Sequence, residues 1–171
     1  SDVCSSDLLQ SPITYIEHGR FRADTLALLP RVYSQAKGMH HYRSTAKSNY
    51  RGYLQGEQVR LKKYFYVLRP LLAVRWLEQH HTPAPMEFEK LLAMIAGETA
   101  LLKDIDALLA VKRAGEETDL APPVKSLNAF IEAELVRFEA AMPVNDLRTE
   151  NIETLNVLFR ELLAETWRQA A

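Results

Sequence analysis

The chain has a single cysteine, no long apolar run and almost no net charge, and each shortage excludes a class of protein. One cysteine, Cys4, excludes an internal disulfide and cannot by itself build a metal site. No apolar run approaches the eighteen or so residues of a membrane-spanning helix, so we expect no membrane partner. The first residues carry Asp2 and Asp7 and lack the charged-then-apolar pattern of a secretion signal. We therefore expect a cytoplasmic protein.

The common catalytic and β-hairpin signatures are also missing. The sequence has no glycine-rich phosphate loop, no dinucleotide-binding fingerprint and no serine or cysteine nucleophile pattern. It has no Asn-Gly turn, no sustained alternation of apolar and polar residues and no internal repeat. Its 171 residues, 47% of them hydrophobic and 25% charged, are enough for one domain with a core. These features predict an all-α protein, an irregular bundle of about seven helices.

Apolar residues recur at helical spacing in seven segments separated by turn residues. Ser34 is a suitable N-cap for the second segment, and Thr149 for the last. Pro70 lies inside the third segment, where a missing backbone donor predicts a kink or break near residues 67–69. Pro30 is expected to end the first. The predicted helices cover residues 21–29, 35–54, 58–80, 86–95, 98–113, 123–142 and 149–168.

The first eight residues, SDVCSSDL, have no periodicity and match the translation of a common sequencing adapter. We interpret residues 1–8 as a non-native, adapter-derived scar and residues 9–171 as a single helical domain. A truncated domain would expose the apolar surface that faced its missing part. Candidates for that surface are Leu9, Ile13, Tyr15 and Ile16.

The net charge of −1 hides an asymmetry between the two halves of the chain. Residues 9–81 carry twelve Lys and Arg against four Asp and Glu, a balance of +8. Residues 82–171 carry nine against sixteen, a balance of −7. The basic half is suited to phosphate-rich partners, although two oppositely charged halves also attract each other.

Basic residues and tyrosines recur at helical spacing between residues 40 and 78. Arg43 and Lys47 are four residues apart on one face of the second predicted helix. Lys62, Tyr66 and Arg69 share a face of the third, with Lys63 beside them. If the two helices are adjacent, these groups form one patch that holds phosphate oxygens and stacks a base. The alternative is a solvated basic face whose tyrosines are half in the core.

Three other patterns offer weaker chemistry. Asp104 and Asp106 form an Asp-x-Asp pair, but they lie in a helical pattern about 200° apart around the axis, unlike a magnesium pair on a strand. Arg75 and His80 match the Arg-x4-His spacing of the helical HEPN ribonucleases. The adjacent histidine pairs, at 40–41 and 80–81, would chelate zinc only if the two pairs met in space.

Several segments resemble the C-terminal half of the nucleotidyltransferases of the DNA polymerase beta superfamily that are associated with RNA repair and RNA ligases. The similar segments are LQSPITY, HYRSTAKSNYRGYL and VRLKKYFYVLRPLLAVRWLE, and Lys-Lys-Tyr-x-Tyr-x-Leu-Arg-Pro is the most specific piece. The resemblance covers roughly residues 9–138. It implies an N-terminal α/β domain, absent from this sequence, whose Gly-Ser loop and Asp-x-Asp pair bind Mg²⁺ and a nucleoside triphosphate. The helical half would close over the nucleotide or the acceptor.

By this resemblance, Lys62, Lys63, Tyr66 and Arg69 are the best candidates for triphosphate or acceptor contacts, and Lys47 and Asn49 are weaker ones. Arg43 joins them as part of the basic patch. We expect no catalytic residue, no bound Mg²⁺ or nucleotide and no transferase activity in this chain alone. Its expected partners are the α/β domain in cis and RNA or another nucleotidyl acceptor.

Two other functions stay open. One is a stand-alone helical module that binds RNA or nucleotides, with salt-sensitive RNA binding that alanine at Arg43 or Lys47 would weaken. The other is a HEPN-like ribonuclease that uses Arg75 and His80.

Overall fold

A computed structural model describes residues 8–15, 17, 19–114, 120–140 and 152–170. Most of the proposed adapter segment, Ile16 and the proposed Thr149 cap lie outside the described residues. The described helices are α1 (Phe21–Val32), α2 (Gln35–Tyr53), α3 (Tyr64–His80), α4 (Phe88–Leu91), α5 (Thr99–Ala114), α6 (Lys125–Ala140) and α7 (Ile152–Ala170).

The predicted all-α class is confirmed. Beside the helices, the described residues form two short 3₁₀ turns, Leu61–Lys63 and Leu92–Ile95, and a pair of two-residue strands. The strands β1 (Val59–Arg60) and β2 (Leu120–Ala121) are antiparallel, with Val59 opposite Ala121. None of the described helices combines the length and the apolar composition needed to cross a bilayer.

Helix α3 is the centre of the core, because most of its circumference is buried. Its fully buried residues include Leu68, Leu71 and Leu72, and α2 packs along it through Tyr42, Ala46 and other residues. Helices α5 and α6 cover another side of the core with buried leucine and isoleucine side chains: Leu101, Ile105, Leu108, Leu127 and Ile131.

The predicted start of the third helix at residue 58 is wrong, since α3 begins at Tyr64. The preceding residues instead form β1, whose Val59 is buried and paired with a strand about sixty residues away. Tyr64 itself is fully buried. Its hydroxyl donates to Asn128 Oδ1 at 2.7 Å and accepts from the Val124 backbone N–H at 2.9 Å. These long-range contacts outweigh local helical periodicity and delay the helix by six residues.

Both internal prolines are tolerated within helices. Helix α1 continues through Pro30 to Val32, so the predicted end at Pro30 is wrong; in the last turn a proline removes a single backbone donor. Helix α3 runs uninterrupted through Pro70 from Tyr64 to His80, so the predicted break is absent. The predicted Ser34 cap is confirmed, because its side chain accepts from the Lys37 backbone N–H at 3.2 Å.

Helix α1 packs against α7, and ion pairs from Arg20 support the contact. The guanidinium of Arg20, the residue before α1, lies 2.7 Å from Glu165 and also pairs with Asp24 in the first turn of α1. Of the apolar residues expected to be exposed before α1, Ile13 and Tyr15 are 67% and 94% exposed, whereas Leu9 is half-buried.

Candidate functional site

A cavity of about 480 Å³ lies where four elements meet: α2, the 3₁₀ turn Leu61–Lys63, α3 and the end of α5. Its volume falls within the range of sites that hold small molecules. Four of the predicted site residues line it: Lys62, Tyr66, Arg69 and Asn49. The other lining residues are His41, Tyr42, Thr45, Phe65, Pro70 and Lys112.

Three cations from three separate elements line the cavity. Lys62 comes from the 3₁₀ turn, Arg69 from α3 and Lys112 from α5, and no aspartate or glutamate is among the described residues that line it. Lys62 is exposed, and the described residues give it no carboxylate partner. Arg69 is half-buried, with Nη2 3.3 Å from Met86 Sδ. A group of like charges in a concave site creates a positive potential that attracts anions.

Pro70 shapes one wall of this cavity. A proline has no backbone N–H, so the carbonyl of Tyr66, four residues earlier, has no intrahelical partner at that position. Asn49 of α2 supplies a donor instead, since its Nδ2 lies 3.4 Å from the Tyr66 carbonyl oxygen and 2.9 Å from that of Thr45. The side-chain amide therefore ties α2 to α3 at the cavity.

The other wall is aromatic. Phe65 contributes a ring that packs edge-on against Phe88 at a centroid distance of 5.4 Å. The Lys112 ammonium lies 5.2 Å from the centroid of the Phe65 ring, which positions this lysine over the wall. The cavity thus combines cationic groups with flat apolar surface, a combination that suits a ligand with both phosphates and a planar ring.

Three predicted site residues do not line the cavity. Lys63 turns towards two tyrosine rings, with Nζ 4.0 Å from the centroid of Tyr53 and 4.7 Å from that of Tyr66. Lys47 forms an ion pair with Glu139 of α6 at 2.6 Å. Arg43 lies 4.9 Å from the Phe138 ring centroid and 3.6 Å from Glu78, too far for a hydrogen bond. Their predicted roles in binding stay predictions.

The chain matches the model of the family described as RlaP, the RNA repair pathway DNA polymerase beta family, over residues 6–161. It belongs to this family. The chain is also 36% identical over 161 residues to a protein of Bacillus subtilis (strain 168) named "Uncharacterized protein YcgL", covering 94% of this chain and 62% of that protein. It therefore spans about three fifths of the length of this relative. No solved structure gives a significant match.

Lys112 is the lysine of the cavity that sequence reasoning missed in this RlaP-family chain. It lies in the last turn of α5, where lysine and arginine are common because they stabilise the negative end of a helix. Local sequence offers no reason to join it with Lys62, which lies fifty residues earlier. Only the packing of α5 beside the 3₁₀ turn brings the two together.

Arg75 and His80, the pair behind the ribonuclease alternative, have separate surroundings. Arg75 donates to Glu98 and Glu134 at 2.8 Å each and to the Met94 carbonyl at 3.1 Å. His80 is exposed and packs against Trp76 with ring centroids 4.1 Å apart. Arg75 is therefore held by acceptors that stabilise the fold, and the geometry does not favour the ribonuclease alternative.

Glu134 is the centre of a buried ion network. Its side chain is 5% exposed and accepts from Arg75 at 2.8 Å and from Arg137 at 2.9 Å. Arg137 also pairs with Glu78 at 2.9 Å. Burial alone would raise the pKa of Glu134, but the hydrogen bonds from Arg75 and Arg137 outweigh it and lower the pKa below its ordinary value. The network joins α3 to α6.

The described residues do not fit a magnesium or zinc site. No three of their histidine, cysteine, aspartate and glutamate side chains group closely enough to hold a metal ion. Asp104 accepts a hydrogen bond from Ser126 Oγ, and Asp106 is exposed on the same helix. The cavity also lacks a described carboxylate, the ligand type that Mg²⁺ requires from a protein.

Proposed function

We propose that the cavity binds the phosphate groups of a nucleoside triphosphate, as the helical part of a nucleotidyltransferase. The observation that carries this proposal is the convergence of Lys62, Arg69 and Lys112 on one cavity without a described carboxylate. Membership in the RNA repair pathway DNA polymerase beta family supports nucleotidyl transfer as the reaction class.

The three cations would act electrostatically. An arginine guanidinium donates two parallel hydrogen bonds to phosphate oxygens, and a lysine ammonium acts as a point charge. When a nucleotidyl group is transferred, negative charge builds on the phosphate oxygens, and fixed cations lower the free energy of that state. The aromatic wall around Phe65 and Tyr66 would hold the base or ribose.

The reacting groups would come from elsewhere. We propose that an α/β domain in cis, with a Gly-Ser loop and an Asp-x-Asp pair, supplies Mg²⁺ coordination and the transfer step. Asp104 and Asp106 of this chain are poor substitutes, because they lie on helix α5 and one of them is bound to Ser126. The acceptor would be RNA or another molecule with a free hydroxyl.

The first test is calorimetric titration of the 171-residue chain with ATP and with inorganic tripolyphosphate. The sequence alone predicts no bound nucleotide in this chain, but the three cations that line the cavity lead us to expect both ligands to bind. ATP should bind more tightly, because only ATP has a base that reaches the aromatic wall. Lys62→Ala and Lys112→Ala should each weaken ATP binding about tenfold, the usual loss for a charged hydrogen bond. Lys103→Ala is the matched control, since Lys103 is exposed on the same helix as Lys112 but outside the cavity.

Two results would contradict the proposal. One is the absence of any heat of binding with both ligands at millimolar concentration. The other is an equal effect of Lys103→Ala and Lys112→Ala, which would mean that the anions respond to the overall charge rather than to the cavity.

A further inference from the structure

Two exposed tyrosines beside the cavity are held around one lysine. Tyr53 ends α2 and Tyr66 lies in the first turn of α3, with 49% and 57% of each residue exposed. The Lys63 ammonium lies within cation–π distance of both rings, 4.0 Å and 4.7 Å from their centroids. A lysine shared by rings from two helices limits the movement of both rings. We call these three residues the tyrosine platform.

The platform is not part of the core. Other tyrosines of the same two helices stabilise the fold, among them Tyr50 and Tyr64, which are buried and hydrogen-bonded through their hydroxyls. By contrast, Tyr53 and Tyr66 are each about half exposed. Lone exposed aromatic residues are ordinary, but two that share a cation next to a concave cationic site are a specific arrangement.

The platform and the cavity are continuous, because Tyr66 belongs to both. Tyr53 lies outside the cavity, and Tyr66 lines it together with the cations Lys62 and Arg69, so the aromatic surface adjoins the cationic site. Residues 9–81, which carry all of these groups, have a charge balance of +8. A partner with unpaired planar rings linked by phosphates matches this arrangement of groups, and a duplex does not, since its base faces are stacked inside.

We propose that the tyrosine platform binds the last bases of a single-stranded nucleic acid and directs the end of the strand to the cavity. This inference rests on the proposed function, because it assigns the acceptor to the same site. The bases would stack on Tyr53 and Tyr66, while Lys63 neutralises the backbone beside them. Stacking tolerates any base, so the platform would select single strands without reading their sequence.

The test is fluorescence anisotropy with labelled oligouridylate and oligothymidylate of about twelve nucleotides, a length that covers one such binding groove. The 171-residue chain should bind both single strands and should bind a duplex of the same length more weakly. Tyr53→Leu and Tyr66→Leu should each weaken single-strand binding about tenfold. Tyr53→Phe and Tyr66→Phe keep the rings and should bind like the unmodified chain.

Phe159→Leu is the matched control for loss of an exposed ring, since Phe159 is 59% exposed on α7, away from the platform. Circular dichroism melts of every variant check that the exposed substitutions leave the fold intact. The inference is overturned if the leucine variants bind single strands like the unmodified chain, if Phe159→Leu weakens binding equally, or if duplex binds as tightly.

Failure of this inference can be told from failure of the proposed function. Tyr53 does not line the cavity, so Tyr53→Leu should keep ATP binding and lose single-strand binding. Normal ATP binding without any single-strand binding would overturn the platform alone. If the unmodified chain does not bind ATP, the proposed function is overturned, and with it the assignment of the strand as an acceptor.

Discussion

Replacing Glu134 by glutamine should destabilise the fold more than any other glutamate-to-glutamine change on α6. The substitution keeps the shape of the side chain and removes its charge. Glu134 is 5% exposed and accepts hydrogen bonds from Arg75 and Arg137. The variant would therefore leave two guanidinium groups without their common buried carboxylate.

The size of the effect follows from what each arginine retains. Breaking a buried ion pair by removing one partner costs about 3–5 kcal/mol. Arg75 keeps Glu98 at 2.8 Å and Arg137 keeps Glu78 at 2.9 Å, and Arg137 is 42% exposed, so water replaces part of the loss. We therefore expect the free energy of unfolding to fall by about 2–3 kcal/mol, below the full cost of an unpaired charge.

Urea denaturation followed by circular dichroism measures this difference. The matched control is Glu139→Gln on the same helix, whose exposed carboxylate pairs with Lys47. Surface ion pairs contribute little, so the control should unfold at the same urea concentration as the unmodified chain. Equal midpoints for Glu134→Gln and Glu139→Gln would refute the claim that the buried network stabilises the fold.

The pH dependence supplies a second check on Glu134. The pKa of Glu134 is lowered in the folded state. The stabilisation that its carboxylate provides is therefore complete above pH 4.5, the ordinary pKa, and is lost as the pH falls through the lower pKa of the folded state. The difference in unfolding free energy between the unmodified chain and Glu134→Gln should therefore be constant from neutral pH to about pH 5 and shrink below pH 4.5. A difference that grows on acidification would contradict the assigned sign.

Three further predictions concern the packing of the core. Gly38→Ala should lower the free energy of unfolding by about 1–3 kcal/mol, because the added Cβ collides with the Tyr33 hydroxyl. In Gly52→Ala, on the same helix, the added Cβ meets no atom within 4 Å, so the free energy of unfolding should rise by about 0.5 kcal/mol. Chemical denaturation of the two variants measures the difference. Tyr64→Phe should cost about 1–3 kcal/mol by leaving the Val124 N–H and Asn128 unpaired, while Tyr66→Phe should not change the urea midpoint. Burial, with a hydrogen bond to Glu132, raises the pKa of Tyr50 from 10.0 to about 12. The stabilisation that the protonated Tyr50 hydroxyl provides should therefore be complete below pH 10 and be lost as the pH rises towards 12. Urea midpoints measured across that range should fall less steeply for Tyr50→Phe than for the unmodified chain.

Part of the candidate site could be predicted from sequence because it lies on one helical face. Lys62, Tyr66 and Arg69 are spaced four and three residues apart, and the structure places all three on the same cavity. Arg43 and Lys47 have equally regular spacing but meet carboxylates, at Glu78 and Glu139. Periodicity states which residues share a face, whereas the partner that covers the face depends on tertiary packing.

The sequence by itself determined the all-α class, most helix positions and the Ser34 cap, because helical periodicity and capping involve residues within four positions of each other. Only the tertiary structure decided where α3 begins, which donor meets the carbonyl freed by Pro70, and that Lys112 joins the cavity. Each of these depends on a contact between residues many positions apart. Such contacts form when apolar surfaces pack together, and a local sequence pattern does not determine which distant side chain lies at a given position.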